Sequence, residues 1–122
     1  MKLHLTQSAG NQLITGYGMG WIEVNETRHP HSLIVLPHLL VTDWRVAGFD
    51  ALEAPHFERL ASLKPEVVLL GTGEQHRFVH PRLSRALIEA GIGLECMTTP
   101  AACRTYNILM AEGRHVAAAL IP

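Results

Sequence analysis

Apolar and polar positions follow one rhythm in the first fifty residues of this chain and another after them. The early apolar residues fall in short runs of strand length, punctuated by glycine, proline and asparagine. Leu13 to Tyr17 reads as a short strand and Trp21-Ile22-Glu23-Val24 as a second, with Asn25-Glu26 as a turn. Ser32 to Leu36 is another strand, and Pro37-His38 turns the chain into Leu40 to Trp44. Leu3 and Leu5 alternate with polar neighbours and suggest a weaker strand at the start. Gly16, Gly18 and Gly20 recur at every second position, so one strand face there has no side chains. That spacing permits a bulge or a close approach to the backbone.

From residue 54 onward, helix and strand patterns alternate. Ala54 to Leu63 is helical, with Pro55 in the first turn, Phe57, Leu60 and Ala61 on one face, and Lys64-Pro65 as the stop. Val67 to Leu70 is a continuous apolar run, as in a strand covered on both sides. Pro81 to Ala90 is helical, with Leu83, Ala86, Leu87 and Ala90 as its inner stripe and Gly91 as its stop. Leu94 to Met97 is a strand. Thr99 is expected to cap a helix from Pro100 to Gly113, and His115 to Ile121 is the last strand. The expected fold is α/β: a three-layer single domain over residues 1–122, with a central mixed, mostly parallel sheet, flanking helices and an N-terminal β-rich part.

Composition narrows the classes of function. The 122 residues are 48% hydrophobic and 17% charged, which fits a packed globule and not a disordered chain. A net charge of −1 gives no electrostatic reason to expect nucleic acid or an anionic membrane as partner. Cys96 and Cys103 are seven residues apart, which is neither a CxxC nor a zinc-ligand spacing, so both are expected to be reduced thiols in the cytoplasm. The opening MKLHLTQSAG has no signal-peptide core. The longest apolar run, Leu33 to Val41, is broken by Pro37 and His38 and is too short to insert into a membrane.

Candidate chemistry gathers at two turns. Val67 to Leu70 runs into Gly71-Thr72-Gly73, and Leu94 to Met97 runs into Thr98-Thr99-Pro100 with Arg104 one turn further on. If the two strands are neighbours, both turns lie at one end of the sheet, where α/β proteins place ligands. Gly71, Thr72, Gly73, Thr98, Thr99 and Arg104 are then a candidate ligand site. The glycine loop would offer backbone N–H groups, and the helix start and Arg104 would favour an anion. The plainer alternative is a tight turn, an ordinary helix cap and a surface arginine. The loop lacks the third glycine of a dinucleotide fingerprint and the Gly-Lys-Ser/Thr of a phosphate loop.

Other residues weigh towards structure. Cys103 near a helix start could have a lowered pKa, yet no histidine is set beside it, and a packed core cysteine fits better. His29 and His31 could share a strand face, but no third ligand is evident, so no metal site is assigned. His76, Arg77, His80, Arg82 and Arg85 form a local basic segment with only Phe78 to stack on a base, so nucleic acid is not expected as a partner. Glu112 and Arg114 at a helix end suggest an ion pair. Trp21, Trp44 and Tyr17 are either core or an exposed aromatic patch for docking.

An ordered set of features resembles a small α/β domain family of unknown function, one that includes the mitochondrial respiratory complex I assembly factor 3. The set is Gly16-Tyr17-Gly18, Ser32 to Pro37, Trp44, Gly71-Thr72-Gly73, Glu95 and Met97, Thr99 with Ala102, Tyr106-Asn107, Glu112-Gly113-Arg114 and residues 118–120. The resemblance spans nearly the whole chain. It implies a central mixed sheet with helices on one side and further strands plus a helix on the other. It supplies no catalytic residue and no cofactor, and none is assigned. The mitochondrial member carries a targeting extension that has no counterpart here, so organelle import is not expected. The resemblance implies a non-enzymatic interaction or assembly factor, with protein partners that by analogy are membrane-complex subunits; a homodimer is compatible with it. The alternative is a small-molecule or anion binder, or an enzyme, using the glycine loop and the start of the 100–112 helix.

Overall fold

The computed structural model describes residues 10–122. In chain order its elements are β1 (Ile14–Gly18), β2 (Trp21–Val24), β3 (Thr27–His29), β4 (Leu33–Leu36), β5 (Leu39–Val41), α1 (Ala54–Ser62), β6 (Val67–Gly71), α2 (Arg85–Glu89), β7 (Gly93–Met97), α3 (Thr99–Ala111) and β8 (Val116–Leu120). The strand suggested by Leu3 and Leu5 lies outside the described residues.

Neighbouring residues in a strand point to opposite faces, so a strand buried at every position must be covered twice. β4, β6 and β8 are buried throughout. They form the centre of a mixed five-stranded sheet in the order β5-β4-β8-β6-β7. β6 runs parallel to both β7 and β8, and β4 runs antiparallel to β5 and β8. On one face, Leu33, Val35, Val67, Leu69, Val116, Ala118 and Leu120 pack with β1, β2 and α3. On the other, Ile34, Leu36, Val68, Leu70, Ala117 and Ala119 pack with α1, α2 and the segment around Trp44. These are the three layers of an α/β fold.

The second sheet is an antiparallel meander, β1-β2-β3. Asn25 and Glu26 join β2 to β3 with φ of 47° and 68°. A two-residue hairpin of this kind needs positive φ at both positions. Asn25 Oδ1 also accepts the Leu13 N–H at 3.0 Å, and Thr15 Oγ1 accepts the Glu26 N–H at 2.9 Å, so side chains secure the turn. β1 carries an irregularity between Ile14 and Gly16. β3, Thr-Arg-His, has no apolar residue to betray it in the sequence.

Three departures from the expected element boundaries have a clear physical reason. The strand after Pro37-His38 stops at Val41, because the chain leaves the sheet to cover its face. Ser32 Oγ donates to the Trp44 carbonyl and accepts the Val46 N–H, both at 2.7 Å, and the Trp44 indole N–H donates to the His56 carbonyl. The helix expected over 81–90 is only Arg85–Glu89, preceded by a turn in which the Leu83 N–H bonds to the His80 carbonyl. The cap of α3 is Thr98, which has extended φ and ψ and accepts the Ala101 N–H, while Thr99 is already helical. A proline fits either of the first helical positions, which left the register one residue open.

Helix α3 fastens the two sheets together. Asn107, 1% exposed, accepts the Ile14 N–H at 3.0 Å and donates to the Ile14 carbonyl at 2.7 Å. The Tyr106 hydroxyl donates to the Gln12 carbonyl at 2.7 Å. Replacing Asn107 with Ala leaves both Ile14 groups unsatisfied in the core. The expected loss is about 2–4 kcal/mol of unfolding free energy in urea titration, with helix and strand content retained by circular dichroism. A loss under about 0.5 kcal/mol would show that this contact does not hold the sheets.

Candidate functional site

The two turns singled out in the sequence meet at one rim of the sheet, because β6 and β7 are parallel neighbours in continuous register. Beyond Gly71, the Thr72 N–H donates to the Met97 carbonyl at 2.9 Å. Gly73, at φ +99°, donates its N–H to Thr99 Oγ1 at 2.8 Å and accepts the Thr99 N–H at 2.9 Å. Thr99 Oγ1 in turn donates to the Ile121 carbonyl at 2.6 Å, and the Ile121 N–H returns to the Gly71 carbonyl. One hydroxyl therefore ties the ends of β6 and β8 to the start of α3. Gly71 is tight there: an added Cβ would lie 2.9 Å from Thr99 Oγ1 and 3.0 Å from Thr99 Cα. A bulkier residue would push the helix away from the sheet.

A cleft of about 400 Å³ opens beside this rim, lined by Gly73, Glu74, Thr99, Pro100 and Pro122 on one side and by Tyr17 to Gly20 on the other. Of the six candidate residues, Gly73 and Thr99 line it. Gly71 and Thr72 are buried, and Thr98 is a half-buried cap. Arg104 is exposed and donates to the Tyr17 hydroxyl at 2.7 Å, so it braces the hairpin wall without lining the cleft.

That second wall was missed by sequence reasoning, although the glycine series was its signal. The Trp21 indole lies against Gly18, where any Cβ would collide with the ring. The Arg28 guanidinium sits 3.8 Å from the Trp21 ring centroid and 3.4 Å from Glu23 Oε1. Trp21 is thus held in a stack, Trp44 is core, and Tyr17 is buried.

The backbone N–H groups of Thr72, Gly73, Thr99 and Ala101 all bond within the protein. Glu74 is the charged residue among those lining the cleft. The space suits an uncharged or apolar group, with the Arg104 guanidinium held on the Tyr17 hydroxyl beside one wall. Cys103 is fully buried, and burial pushes its thiol up to about 12, so it is not an activated nucleophile. His29 and His31 meet in a T-shaped contact with ring centroids 6.0 Å apart. Among the described residues, no group of three or more His, Cys, Asp or Glu could hold a metal ion. Arg77 pairs with Asp50 and stacks on Phe49, and Arg114 pairs with Glu66, not with Glu112.

Residues 14–121 match the sequence profile of a family described as a protein of unknown function, DUF498/DUF598. NADH dehydrogenase (ubiquinone) 1 alpha subcomplex assembly factor 3 of Bos taurus is 35% identical over 111 residues, covering 89% of this chain. The chain spans 60% of that relative's length. A crystal structure of a Bordetella parapertussis protein has a TM-score of 0.87 at 42% identity, covering 95% of this chain and 99% of that one. A solution structure of a Bordetella pertussis protein, described as a Mth938-like domain, has a TM-score of 0.85 at 36% identity, covering 100% of this chain and 92% of that one.

Two measurements check the rim. Thr99→Val keeps the shape but removes the hydroxyl that serves Gly73 and Ile121. It is expected to cost about 2–3 kcal/mol and to speed amide exchange at Gly73, whereas Thr99→Ser costs under about 1 kcal/mol. Equal losses for Val and Ser would mean that packing, not the hydroxyl, matters. Cys103 is expected to resist alkylation at pH 8 in the folded protein and to react after denaturation; modification of native Cys103 would contradict its burial.

Proposed function

This chain belongs to the family of unknown function DUF498/DUF598, and on that premise we propose that it is an interaction protein that holds subunits while a larger assembly forms. The observation that carries this reading is the likeness to a protein named as an assembly factor, which runs over nearly the whole folded unit. A match that covers 89% of the chain reaches the greater part of the fold, which favours a shared use of the folded surface. No helix of the described residues is long and apolar enough to cross a membrane, so contact with membrane-complex subunits would use that surface. Met19, 86% exposed at the β1–β2 turn, and Ile108 on α3 are apolar residues in position for such contact. The proposal places the protein in the cytoplasm, where its two free cysteines stay reduced.

Affinity isolation of a tagged copy from a mild detergent extract, quantified against an untagged control, tests this reading. Subunits of a membrane-bound respiratory complex are expected to be enriched, and Ile108→Glu or Met19→Glu is expected to lower that enrichment about tenfold. Recovery of this chain alone, or enrichment indifferent to both substitutions, removes the support for these surfaces.

The cleft favours a second reading, a small-molecule binder that uses Gly73, Thr99 and the Tyr17–Arg104 pair. Under it, one of a panel of uncharged, apolar and carboxylate-bearing small molecules raises the melting temperature in proportion to the logarithm of its concentration, and Arg104→Ala, which releases the Tyr17 wall, weakens the response. A flat panel rejects it.

A further inference from the structure

Strand β7 is an edge strand of the five-stranded sheet, and among the described residues no other strand pairs with its outer side. It is five residues long, in uninterrupted register with β6, and it contains no proline, lysine or bulge. The other edge, β5, has only three residues. The Thr72 N–H bonds to the Met97 carbonyl, so the backbone of Met97 faces β6. Backbone direction alternates along a parallel strand, which turns Gly93 and Glu95 the same way and leaves Leu94 and Cys96 facing out. Each of these two residues presents an N–H and a C=O at the open edge, and no described residue bonds to them.

Those free groups border an apolar groove. Helix α2 is too short to cover β7, and a groove of about 490 Å³ remains, lined mainly by apolar residues such as Phe78, Val79, Ile88, Leu94 and Cys96, with Ser84 and Glu95 at its border. Phe78 is 79% exposed and Ile88 61% exposed. Leu94 and Cys96 point to this side, with the α1–α2 layer, while Met97 packs on the α3 side. Glu95, exposed and between Leu94 and Cys96, shares the face of Met97.

Charge selects the occupant. A second copy that used all four free groups would pair Leu94 with Cys96 of its twin, and the symmetry axis would pass through Glu95. Two carboxylates would then stand directly opposite, with Cβ atoms about 5 Å apart, an arrangement that destabilises a strand pair. A strand with a cation opposite Glu95 and apolar residues on either side meets every requirement. We propose that β7 accepts an extended segment of a partner protein with the alternation apolar-basic-apolar, adding a sixth strand to the sheet. The apolar pair fills the groove, the cation faces Glu95, and the main chain bonds to Leu94 and Cys96. This rests on the interaction role proposed above and adds the form of the partner's segment.

The test uses the purified full chain and three synthetic nine-residue peptides. One alternates valine and threonine around a central lysine, the second has glutamate at the centre, and the third is the lysine peptide N-methylated at alternate amides. The lysine peptide is expected to slow amide exchange at Leu94 and Cys96, to bind about three- to tenfold more tightly than the glutamate peptide, and to lose binding on N-methylation. Glu95→Lys is expected to reverse the charge preference. Protection elsewhere, equal binding of the lysine and glutamate peptides, or no protection overturns the proposal, as does a dimer in sedimentation that Glu95→Lys disrupts. If the peptides fail while subunits still co-purify with the tagged chain, the edge proposal falls and the interaction role stands.

Discussion

One carboxamide holds the two sheets of this protein in place. Asn107 presents an acceptor and a donor from the middle of a helix, and Ile14 receives them as it would receive a neighbouring strand. The irregularity in β1 follows immediately, between Ile14 and Gly16. A helix that ends the β1 ladder this way must lie across it at a fixed height, and that height carries Tyr106 to Gln12 and Arg104 to Tyr17. The position of the hairpin wall of the cleft is therefore set about two turns of α3 away from the cleft itself. Burial raises the stakes, because neither Ile14 group has water to fall back on.

The other end of α3 is fixed by Thr99, and the cost is chemical openness. Its hydroxyl closes the turn after β6 against the carbonyl of Ile121. Donors that a glycine loop and a helix start could offer to an anion are thereby used within the fold. What the rim gains is geometry: Gly71 lets α3 approach the sheet closely, and the hairpin can reach across to meet it.

The central architecture was legible because physics left few alternatives. Unbroken apolar runs such as Leu33–Leu36 and Val67–Leu70 have no polar face to give to solvent, so they had to be covered twice. The meeting of the two turns followed from the parallel pairing that such strands favour. Short and polar elements were less legible. β3 carries Thr-Arg-His and is a strand only because the Asn25-Glu26 hairpin folds it onto β2. Helix α2 is four residues shorter at its start than the apolar stripe suggests, since His80 and Leu83 make a turn instead. The cap moved from Thr99 to Thr98 because both are threonines and proline suits either register. Arg104 was legible as a residue of the rim but not as the partner of Tyr17, a contact across 87 positions that no local spacing encodes.

Scattered apolar residues on a protein surface need no special cause, and Leu39 by itself has none. The side of β7 differs because two kinds of incompleteness coincide. A helix of one and a half turns leaves Leu94 and Cys96 half covered, and the same two residues carry the backbone groups that no strand among the described residues satisfies. Water can serve the polar groups or withdraw from the apolar ones, but it cannot do both well in one groove. An added strand does both at once, since its main chain and alternate side chains meet the edge in the same register. Glu95, placed between them on the opposite face, then decides which strands are admitted, and it turns away the protein's own.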